Sequence, residues 1–217
     1  MVNGRDPAVL EEAIANLSAS IGFVADVTQP EESAQLIKEV IDRFGRLDAL
    51  VCNVGSGRSV PPGNEYFEEW QRIFSVNLWS ATNMVEAATD ALASTNGTIV
   101  CISSICGQEC VPGAPITYST AKAALNAYVR GISRPLGARG VRINAIAPGN
   151  ILFDGSVWHK KIKDNQASVT KMLEQNVALK KLGTPSDIAS LTAYLLSPIS
   201  NFTTGSVWTI DGGQVHA

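Results

Sequence analysis

Tyr118 and Lys122, near the middle of the chain, have side chains and a spacing that could carry out acid–base chemistry. On a helix, residues four apart lie on the same face, so the lysine ammonium can sit beside the tyrosine phenol. A neighbouring positive charge favours the phenolate and lowers the pKa of the tyrosine, which makes the hydroxyl a usable general acid or base. The pair alone is weak evidence, since a surface aromatic and a solvated lysine on one helix face give the same pattern.

The segments on either side of this pair favour an active site. Residues 97–102 have the composition of a buried strand, and Ser103 and Ser104 stand at its carboxyl end. Residues 141–149 predict a second buried strand that ends in a Pro-Gly turn. In parallel sheets, ligands bind at the carboxyl ends of the strands. The sequence therefore predicts that the tyrosine helix and both strand ends border a ligand site.

Strand and helix patterns alternate along the chain. Asp6 and Pro7 offer an N-cap and a first helical residue, and Thr28–Glu31 and Thr184–Asp187 have the spacing of capping boxes. The longest helical pattern runs over about 67–92, and residues 150–180 are irregular with one helix near 165–178. The predicted strands are residues 21–25, 47–52, 97–102, 142–146 and, with its turn, 204–213. This alternation predicts an α/β fold with a doubly wound parallel sheet.

This order of motifs resembles the short-chain dehydrogenase/reductase family, and the resemblance covers essentially the whole chain. Members of that family transfer hydride between a nicotinamide cofactor and a carbonyl or alcohol. The sequence is similar to 3-oxoacyl-ACP reductase-like and to sugar or alcohol dehydrogenase-like members. The resemblance implies one Rossmann-like domain over residues 1–217, with a three-layer αβα arrangement, in which residues 150–180 form the substrate lid.

The resemblance implies catalytic roles for four residues. Tyr118 is the expected acid/base, and Lys122 is expected to lower its pKa and to hold the nicotinamide ribose. Ser104 corresponds to the hydroxyl that orients and polarises the substrate carbonyl. Asn77, in Ser-Val-Asn-Leu, corresponds to the asparagine that positions a water in the proton relay to the lysine.

The match to the family is less complete on the cofactor side. The residues that match cofactor contacts are Arg5, Asp26, Asn53, Gly55, Tyr118, Lys122, Pro148, Gly149 and Ile151. Asp26 corresponds to an aspartate that binds the adenine amino group. Arg5 stands where members that prefer NADP carry a base for the 2′-phosphate, although an ordinary surface arginine gives the same pattern. Residues 52–55 are Cys-Asn-Val-Gly where Asn-Asn-Ala-Gly is usual, and Phe153 replaces a common threonine. The resemblance implies NAD(P), with a slight preference for NADP.

One feature of the family is missing. Members begin with a strand, a Thr-Gly-x-x-x-Gly-x-Gly turn and a helix, and no such turn occurs before Arg5. The glycine-rich piece at 54–57 follows a later strand and does not open a helix, so it is not a displaced copy. Because that turn supplies backbone amides to the cofactor pyrophosphate, we expect this truncated chain to bind NAD and NADP poorly. Two hypotheses stand: an NAD(P)-dependent oxidoreductase that lacks its amino end, and a shortened, non-catalytic relative that acts as a binding or oligomerisation module.

The composition sets further limits. The chain has 217 residues, 45% of them hydrophobic, and its net charge of −3 gives no reason to expect nucleic acid as a partner. No apolar run approaches the roughly 18 residues that span a bilayer, so we expect no membrane and a cytoplasmic protein. The spacing of the four cysteines fits no metal site, and Cys52 and Cys101 are expected to be small buried hydrophobes.

The expected partners are a small-molecule alcohol or ketone and further copies of the chain. Relatives pair through the long helix and the tyrosine helix, and the latter carries small residues here, although part of that surface must face its own sheet. These residues include Ala123, Ala124 and Ala127. We expect a homodimer or homotetramer. The five lysines of residues 150–180 most simply form a solvated face, and they hint at an anionic group on the substrate.

Overall fold

The computed structural model describes residues 1–215, and over this range strands and helices alternate. The strands are β1 (Val2–Gly4), β2 (Gly22–Val24), β3 (Ala49–Cys52), β4 (Thr98–Ile102), β5 (Arg142–Pro148) and β6 (Val207–Ile210). The α-helices are α1 (Pro7–Ala15), α2 (Pro30–Phe44), α3 (Phe67–Phe74), α4 (Ser80–Ala93), α5 (Ile116–Gly137), α6 (Val157–Asn176) and α7 (Pro185–Leu196). All paired strands are parallel, which confirms the predicted α/β fold.

The sheet consists of two separate pieces. One contains β1 and β2, and the other has the strand order β3-β4-β5-β6. Within residues 1–215, neither β1 nor β3 pairs with a second strand on its other side. This division falls at the position where the family topology places the first strand, between β1 and β3. The exposed Val51 on β3 is consistent with an edge strand there.

The core lies on both faces of the four-stranded piece. Successive residues of a strand point to opposite faces, so Ile99 and Cys101 face one side of β4 while Val100 faces the other. The first side packs against buried residues of α4 and α5, and the second packs against Leu195 of α7. Cys52 and Cys101 are buried, as predicted. Strands β4 and β5 are almost completely buried. Because burying a large aliphatic side chain stabilises the fold by roughly 1.5–3 kcal/mol, these two strands contribute much of the stability.

Two of the three predicted helix starts are correct. The Asp6 carboxylate accepts hydrogen bonds from the backbone N–H groups of Ala8 and Val9 at 2.9 and 3.2 Å. At the start of α7, the Asp187 carboxylate accepts from the backbone N–H of Thr184 at 2.7 Å. The capping box at Thr28–Glu31 is wrong. Gln29 takes the N-cap position of α2, because the Thr28 hydroxyl donates instead to the Asp26 carboxylate at 2.7 Å.

Two helical segments differ from the sequence prediction. The helix predicted over about 67–92 is α3 and α4 joined by a π-helical turn at Ser75–Trp79. In the irregular segment 150–180, α6 begins at Val157 rather than near 165, because the Ser156 hydroxyl caps it by accepting from the His159 N–H at 3.1 Å. A non-helical residue, Asn165, divides α6 into two parts.

Candidate active site

A cavity of about 910 Å³ lies at the carboxyl ends of β3, β4 and β5. Nine of the residues that the sequence singled out line it, and they come from the loops after these strands, from the π-helical turn and from α5. They are Asn53, Gly55, Asn77, Ser104, Tyr118, Lys122, Pro148, Gly149 and Ile151. The structure therefore brings the four expected catalytic residues to one place. Arg5 and Asp26 lie elsewhere.

Lys122 is buried on the inner face of α5. Its ammonium donates a 2.8 Å hydrogen bond to the Ile102 carbonyl at the end of β4, and it lies 5.9 Å from the ring centroid of Tyr118. Burial lowers the pKa of Lys122 to about 8, and the nearby Cys101 and Cys52 thiols oppose this change. The lysine is therefore mostly protonated at neutral pH, and it loses its proton when the pH rises above about 8.

The pKa of Tyr118 differs from the sequence expectation. Burial raises the pKa of Tyr118 above its ordinary value, the Ser104 hydroxyl partly offsets this, and Cys106 adds to the rise. The expected net lowering of this pKa is wrong for this structure, because burial of the phenol disfavours the phenolate and the Lys122 ammonium donates its hydrogen bond to the Ile102 carbonyl rather than to the phenol. At neutral pH the phenol therefore holds its proton and is ready to act as an acid.

Ser104 is held beside α5 by a tight turn. Its hydroxyl accepts a hydrogen bond from the Cys106 N–H at 3.2 Å and caps the 3₁₀ turn Ile105–Gly107. A Cβ on Gly107 would lie 2.6 Å from the Lys122 carbonyl carbon, so the turn packs directly on the backbone of α5. Glycine at this position allows the serine to approach the helix that bears the tyrosine.

Asn77 fixes the loop that follows β3. Its amide donates to the carbonyls of Ser56 and Ile73 at 3.0 Å, and its side-chain oxygen accepts from the Ser56 N–H at 3.0 Å. A Cβ on Gly55 would lie 3.0 Å from this oxygen and 3.2 Å from Lys122 Nζ. Asn77 lies in the π-helical turn Ser75–Trp79, and such turns are frequent at functional sites.

A buried carboxylate, Glu69, supports the same loop through an ion pair with the half-exposed Arg72, and the sequence analysis missed it. The Glu69 carboxylate accepts from Ser59 Oγ at 2.6 Å and from Arg72 Nε and Nη2 at 2.7 Å. The hydrogen bonds from Arg72 and Ser59 lower the pKa of Glu69 to about 2. Ser59 Oγ also lies 2.6 Å from the Oγ1 of Thr117, the residue before Tyr118. A glutamate and an arginine three apart on a helix usually indicate a solvated face, so the pattern gave no sign of burial.

The other end of the cavity is lined by residues of the predicted lid segment 150–180. Phe153, Val157, Trp158 and Met172 provide apolar surface, and Lys161 provides a charge. Of these five residues, the sequence analysis had named only Phe153. The Lys161 ammonium lies 4.4 Å from the centroid of the Trp158 ring. Their spacing of three residues could have predicted this contact from the sequence, since residues three apart are neighbours on a helix.

Arg5 and Asp26 lie at a smaller cavity of about 100 Å³ at the ends of β1 and β2. Arg5 Nη1 lies 3.4 Å from Asp26 Oδ2. Burial would raise the pKa of Asp26, but hydrogen bonds from Thr28 and Arg5 outweigh this and lower it. Val54 and Val76 line the smaller cavity, and their neighbours Gly55 and Asn77 line the larger one, so the two cavities adjoin.

The residues present fit the two ends of a dinucleotide. Tyr118, Lys122 and Asn53 line the cavity where a nicotinamide ribose would bind, and a Cβ at Gly55 would crowd the Lys122 ammonium at 3.2 Å. Asp26 and Arg5 fit the adenosine end. Between these ends, residues 1–215 provide no strand that leads through a glycine-rich turn into a helix, which is the element that holds a pyrophosphate.

Comparison with known proteins agrees with this geometry. The family model described as enoyl-(acyl carrier protein) reductase matches residues 2–215. Isoepoxydon dehydrogenase from Penicillium expansum is 30% identical over 203 residues, which cover 93% of this chain and 76% of that protein. A 3-oxoacyl-[acyl-carrier-protein] reductase from Synechocystis is 32% identical over 210 residues, covering 96% and 81%.

Solved structures show the same fold. ElxO with NADP bound is 28% identical, with a TM-score of 0.88, and the match covers 98% of this chain and 86% of that one. An NADPH-bound short-chain oxidoreductase from Pseudomonas aeruginosa, described as having an atypical catalytic center, has a TM-score of 0.89 at 26% identity, covering 99% and 86%. The chain belongs to the short-chain dehydrogenase/reductase family. It is an oxidoreductase of that family, whose cofactor is NAD(P).

In the part of the chain that the structure describes, no helix has the length and apolar character needed to cross a membrane.

Proposed function

We propose that the protein interconverts a small alcohol and its ketone or aldehyde, with Tyr118 as the acid/base. The observation that carries this proposal is the convergence of Tyr118, Ser104, Lys122 and Asn77 on one cavity at the carboxyl ends of parallel strands. Such strand ends are where ligands bind in this class of fold.

In the reductive direction, NAD(P)H, when bound, would supply the hydride for the carbonyl carbon. The Tyr118 hydroxyl donates its proton to the carbonyl oxygen, and the Ser104 hydroxyl donates a hydrogen bond to the same oxygen. Because burial raises the pKa of Tyr118, the phenol is protonated at neutral pH before each turnover. Tyr118 and Ser104 thus act on the oxygen on which negative charge develops.

Lys122 stabilises the phenolate that proton transfer leaves behind. Its pKa of about 8 keeps it mostly charged at neutral pH, and a positive charge near the phenolate lowers the free energy of that state. Asn77 makes three hydrogen bonds to Ser56 and Ile73. These bonds position the loop after β3, which lies between Asn77 and Lys122. In the oxidative direction, the Tyr118 phenolate accepts the proton of the alcohol.

The test is a screen of alcohols and ketones with NADH, NADPH and their oxidised forms at millimolar concentration, followed by nicotinamide absorbance. We expect slow but saturable turnover of at least one carbonyl compound. If no compound in a broad panel turns over while the protein remains folded, the chain is a non-catalytic relative and the proposal fails.

The preference for NADP depends on Arg5. Its guanidinium is largely exposed and has one long contact, to Asp26 at 3.4 Å, so it is free to meet a 2′-phosphate. We expect Arg5→Gln to weaken turnover with NADPH and to leave turnover with NADH unchanged. Arg43→Gln, on the surface of α2, is the matched control. Equal losses with both cofactors would contradict the assignment.

We also propose assembly into a dimer or tetramer through α4 and α5. On α5, Tyr128 and Ile132 pack against the core, whereas Ala123 and Ala127 are exposed and would let a second helix approach. Light scattering should give a mass of at least two chains, and Ala127→Arg should reduce it to one. A monomeric mass for the unaltered protein would contradict the proposal.

Two further assignments remain proposals. We place the protein in the cytoplasm, which suits its four free cysteines because thiols persist in reducing compartments. We also treat residues 1–217 as one domain in which residues 150–180 cover the substrate, since Ile151, Trp158 and Met172 from this segment line the cavity.

A further inference from the structure

We infer that Lys161 recognises an anionic group on the substrate, so that the substrate class is a carbonyl compound, or its alcohol, that carries a carboxylate or phosphate. This inference rests on the proposed function and assigns its substrate class. It begins with the charges that face the cavity. Among the residues that the structure describes, those charges belong to Glu109, Lys122 and Lys161.

Lys161 is the cation available to a ligand in this cavity. Lys122 is buried, already donates to the Ile102 carbonyl and lies beside Tyr118, where it takes part in the proposed reaction. Five lysines occur in residues 150–180, and Lys161 is the one whose side chain lines the cavity. None of the ion pairs found within residues 1–215 includes it.

Lys161 is exposed, and its side chain contacts an aromatic ring. Its ammonium lies 4.4 Å from the centroid of Trp158, which is within the range of a cation–π interaction. A long lysine side chain normally loses considerable rotamer freedom when it binds a ligand. Contact with Trp158 restricts the side chain beforehand, so the entropy lost on meeting an anion is smaller.

The surroundings of Lys161 define the rest of the ligand. Phe153, Val157 and Met172 line the cavity with apolar surface, while Ser104 and Tyr118 mark the place of the reacting carbonyl. A fitting substrate therefore has an apolar body, with the carbonyl at one end and the anion at the other. Glu109 also lines the cavity and would repel an anion, so the preference depends on Lys161.

The test compares acids with their neutral esters in binding to the protein without cofactor. The probes are 4-oxo-4-phenylbutanoate, 5-oxo-5-phenylpentanoate and 6-oxo-6-phenylhexanoate, their methyl esters, and the matching phosphonates, measured by titration calorimetry. A hydrogen bond to a charged group implies that at least one acid or phosphonate binds about tenfold more tightly than its ester. The phosphonate arm tells whether a carboxylate or a phosphate is preferred.

The variants locate the effect. Lys161→Gln should remove the advantage of the acid over the ester, and Lys163→Gln, on the exposed surface of the same helix, should preserve it. Equal affinities for acid and ester in the unaltered protein would overturn the inference. So would an advantage that survives Lys161→Gln, or that Lys163→Gln removes equally.

Turnover of the same compounds separates this inference from the proposed function. Reduction of the esters and acids at equal efficiency would overturn the anion site and leave the oxidoreductase function standing. Tight, Lys161-dependent binding of an acid with no reduction of any carbonyl compound would support the anion site and overturn the proposed function.

Discussion

Ser59 Oγ lies 2.6 Å from Thr117 Oγ1, and this contact ties the loop after β3 to the residue before Tyr118. The same hydroxyl lies 2.6 Å from the buried carboxylate of Glu69 on α3. A continuous set of short polar contacts therefore runs from α3 through the loop to the first turn of α5. Glu69, which does not line the cavity, is thus connected to the residue before Tyr118.

The first prediction concerns Glu69→Gln. The folded pKa of Glu69, about 2, lies below its unfolded value, so the ionised carboxylate stabilises the fold above the unfolded pKa and loses this effect as the pH falls towards about 2. We expect the variant to lose about 1–2 kcal/mol of unfolding free energy at neutral pH, because half of the Arg72 side chain is in solvent, and we expect the difference to shrink below about pH 4. Urea unfolding at several pH values measures both effects. Glu68→Gln, next to it and exposed, should show neither, and a pH-independent loss in Glu69→Gln would contradict the prediction.

The second prediction is that Tyr118→Phe removes the proton source and preserves the fold. General acid catalysis typically contributes 10²–10⁴-fold, so kcat for reduction should fall by about that factor. The control is Tyr128→Phe, on the same helix and also partly buried, which should retain most of its turnover. Steady-state kinetics together with a thermal melt decide the matter. Retention of most activity in Tyr118→Phe would show that another group supplies the proton.

The third prediction is a difference between the two reaction directions in their response to pH. Reduction needs the phenol, which is protonated at neutral pH because its pKa is raised, so kcat/KM should stay level until Lys122 loses its proton at about pH 8. Oxidation needs the phenolate, so its kcat/KM should rise with pH across the neutral range. Profiles of kcat/KM report the groups of the free enzyme. A level profile for oxidation would contradict the raised pKa of Tyr118.

The fourth prediction uses two glycines near the tyrosine helix. An added Cβ at Gly107 would lie 2.6 Å from the backbone of Lys122, so Gly107→Ala should displace the turn that holds Ser104 and lower both stability and kcat. A Cβ at Gly131, within α5, would meet no atom within 4 Å. Gly131→Ala should therefore stabilise the protein by about 0.5–1 kcal/mol with unchanged kcat. Thermal melts and kinetics of both variants check this, and an unaffected Gly107→Ala would show that the turn can move freely.

The fifth prediction is that the 217-residue chain binds NADH and NADPH more weakly than roughly tens of micromolar. Its residues would hold the nicotinamide and adenosine ends, whereas the backbone amides of a helix N-terminus normally hold the pyrophosphate between them. Nicotinamide fluorescence in a titration measures the affinity, with a relative that carries the glycine-rich turn as a positive control. Saturation at lower concentration would show that another segment binds the pyrophosphate.

The fold could be predicted largely from local patterns. Alternating apolar runs and helical periodicity located β2 to β6 and most helices, because strands of a parallel sheet are buried on both faces and have a nearly continuous apolar composition. The strand β1 was not predicted, since its three residues are too few to form an apolar run. Competition for a hydrogen-bonding partner was not visible in the pattern. Thr28 has the right spacing for a capping box, but the Asp26 carboxylate takes its hydroxyl. The π-helical turn at Asn77 was equally hidden, since apolar residues continue through it.

The residues of the candidate site could be predicted where they belong to local sequence motifs. The contacts that depend on tertiary packing could not. The Tyr118 and Lys122 pair follows from helical spacing, and Ser104 from its place after a strand. The hydrogen bond of Lys122 to the Ile102 carbonyl depends on how α5 packs against β4, which no local pattern specifies. The burial of Glu69 has the same origin, because Ser59 and Thr117 are distant from it in sequence.

The division of the sheet predicts a lower local stability for the amino-terminal segment, which reaches the main core through Phe23. Strands β1 and β2 pair with each other, α1 packs on this pair, and Leu10 is the buried residue of that helix. A unit with so few buried apolar contacts can open locally at a small cost in free energy, so its amide protons should exchange with solvent well before those of β4 and β5. Arg5 and Asp26 belong to this region, whereas Tyr118 belongs to the four-stranded piece. Occupancy of the adenosine end is therefore linked to local refolding, while the chemistry at the nicotinamide end takes place on the part of the protein that opens last.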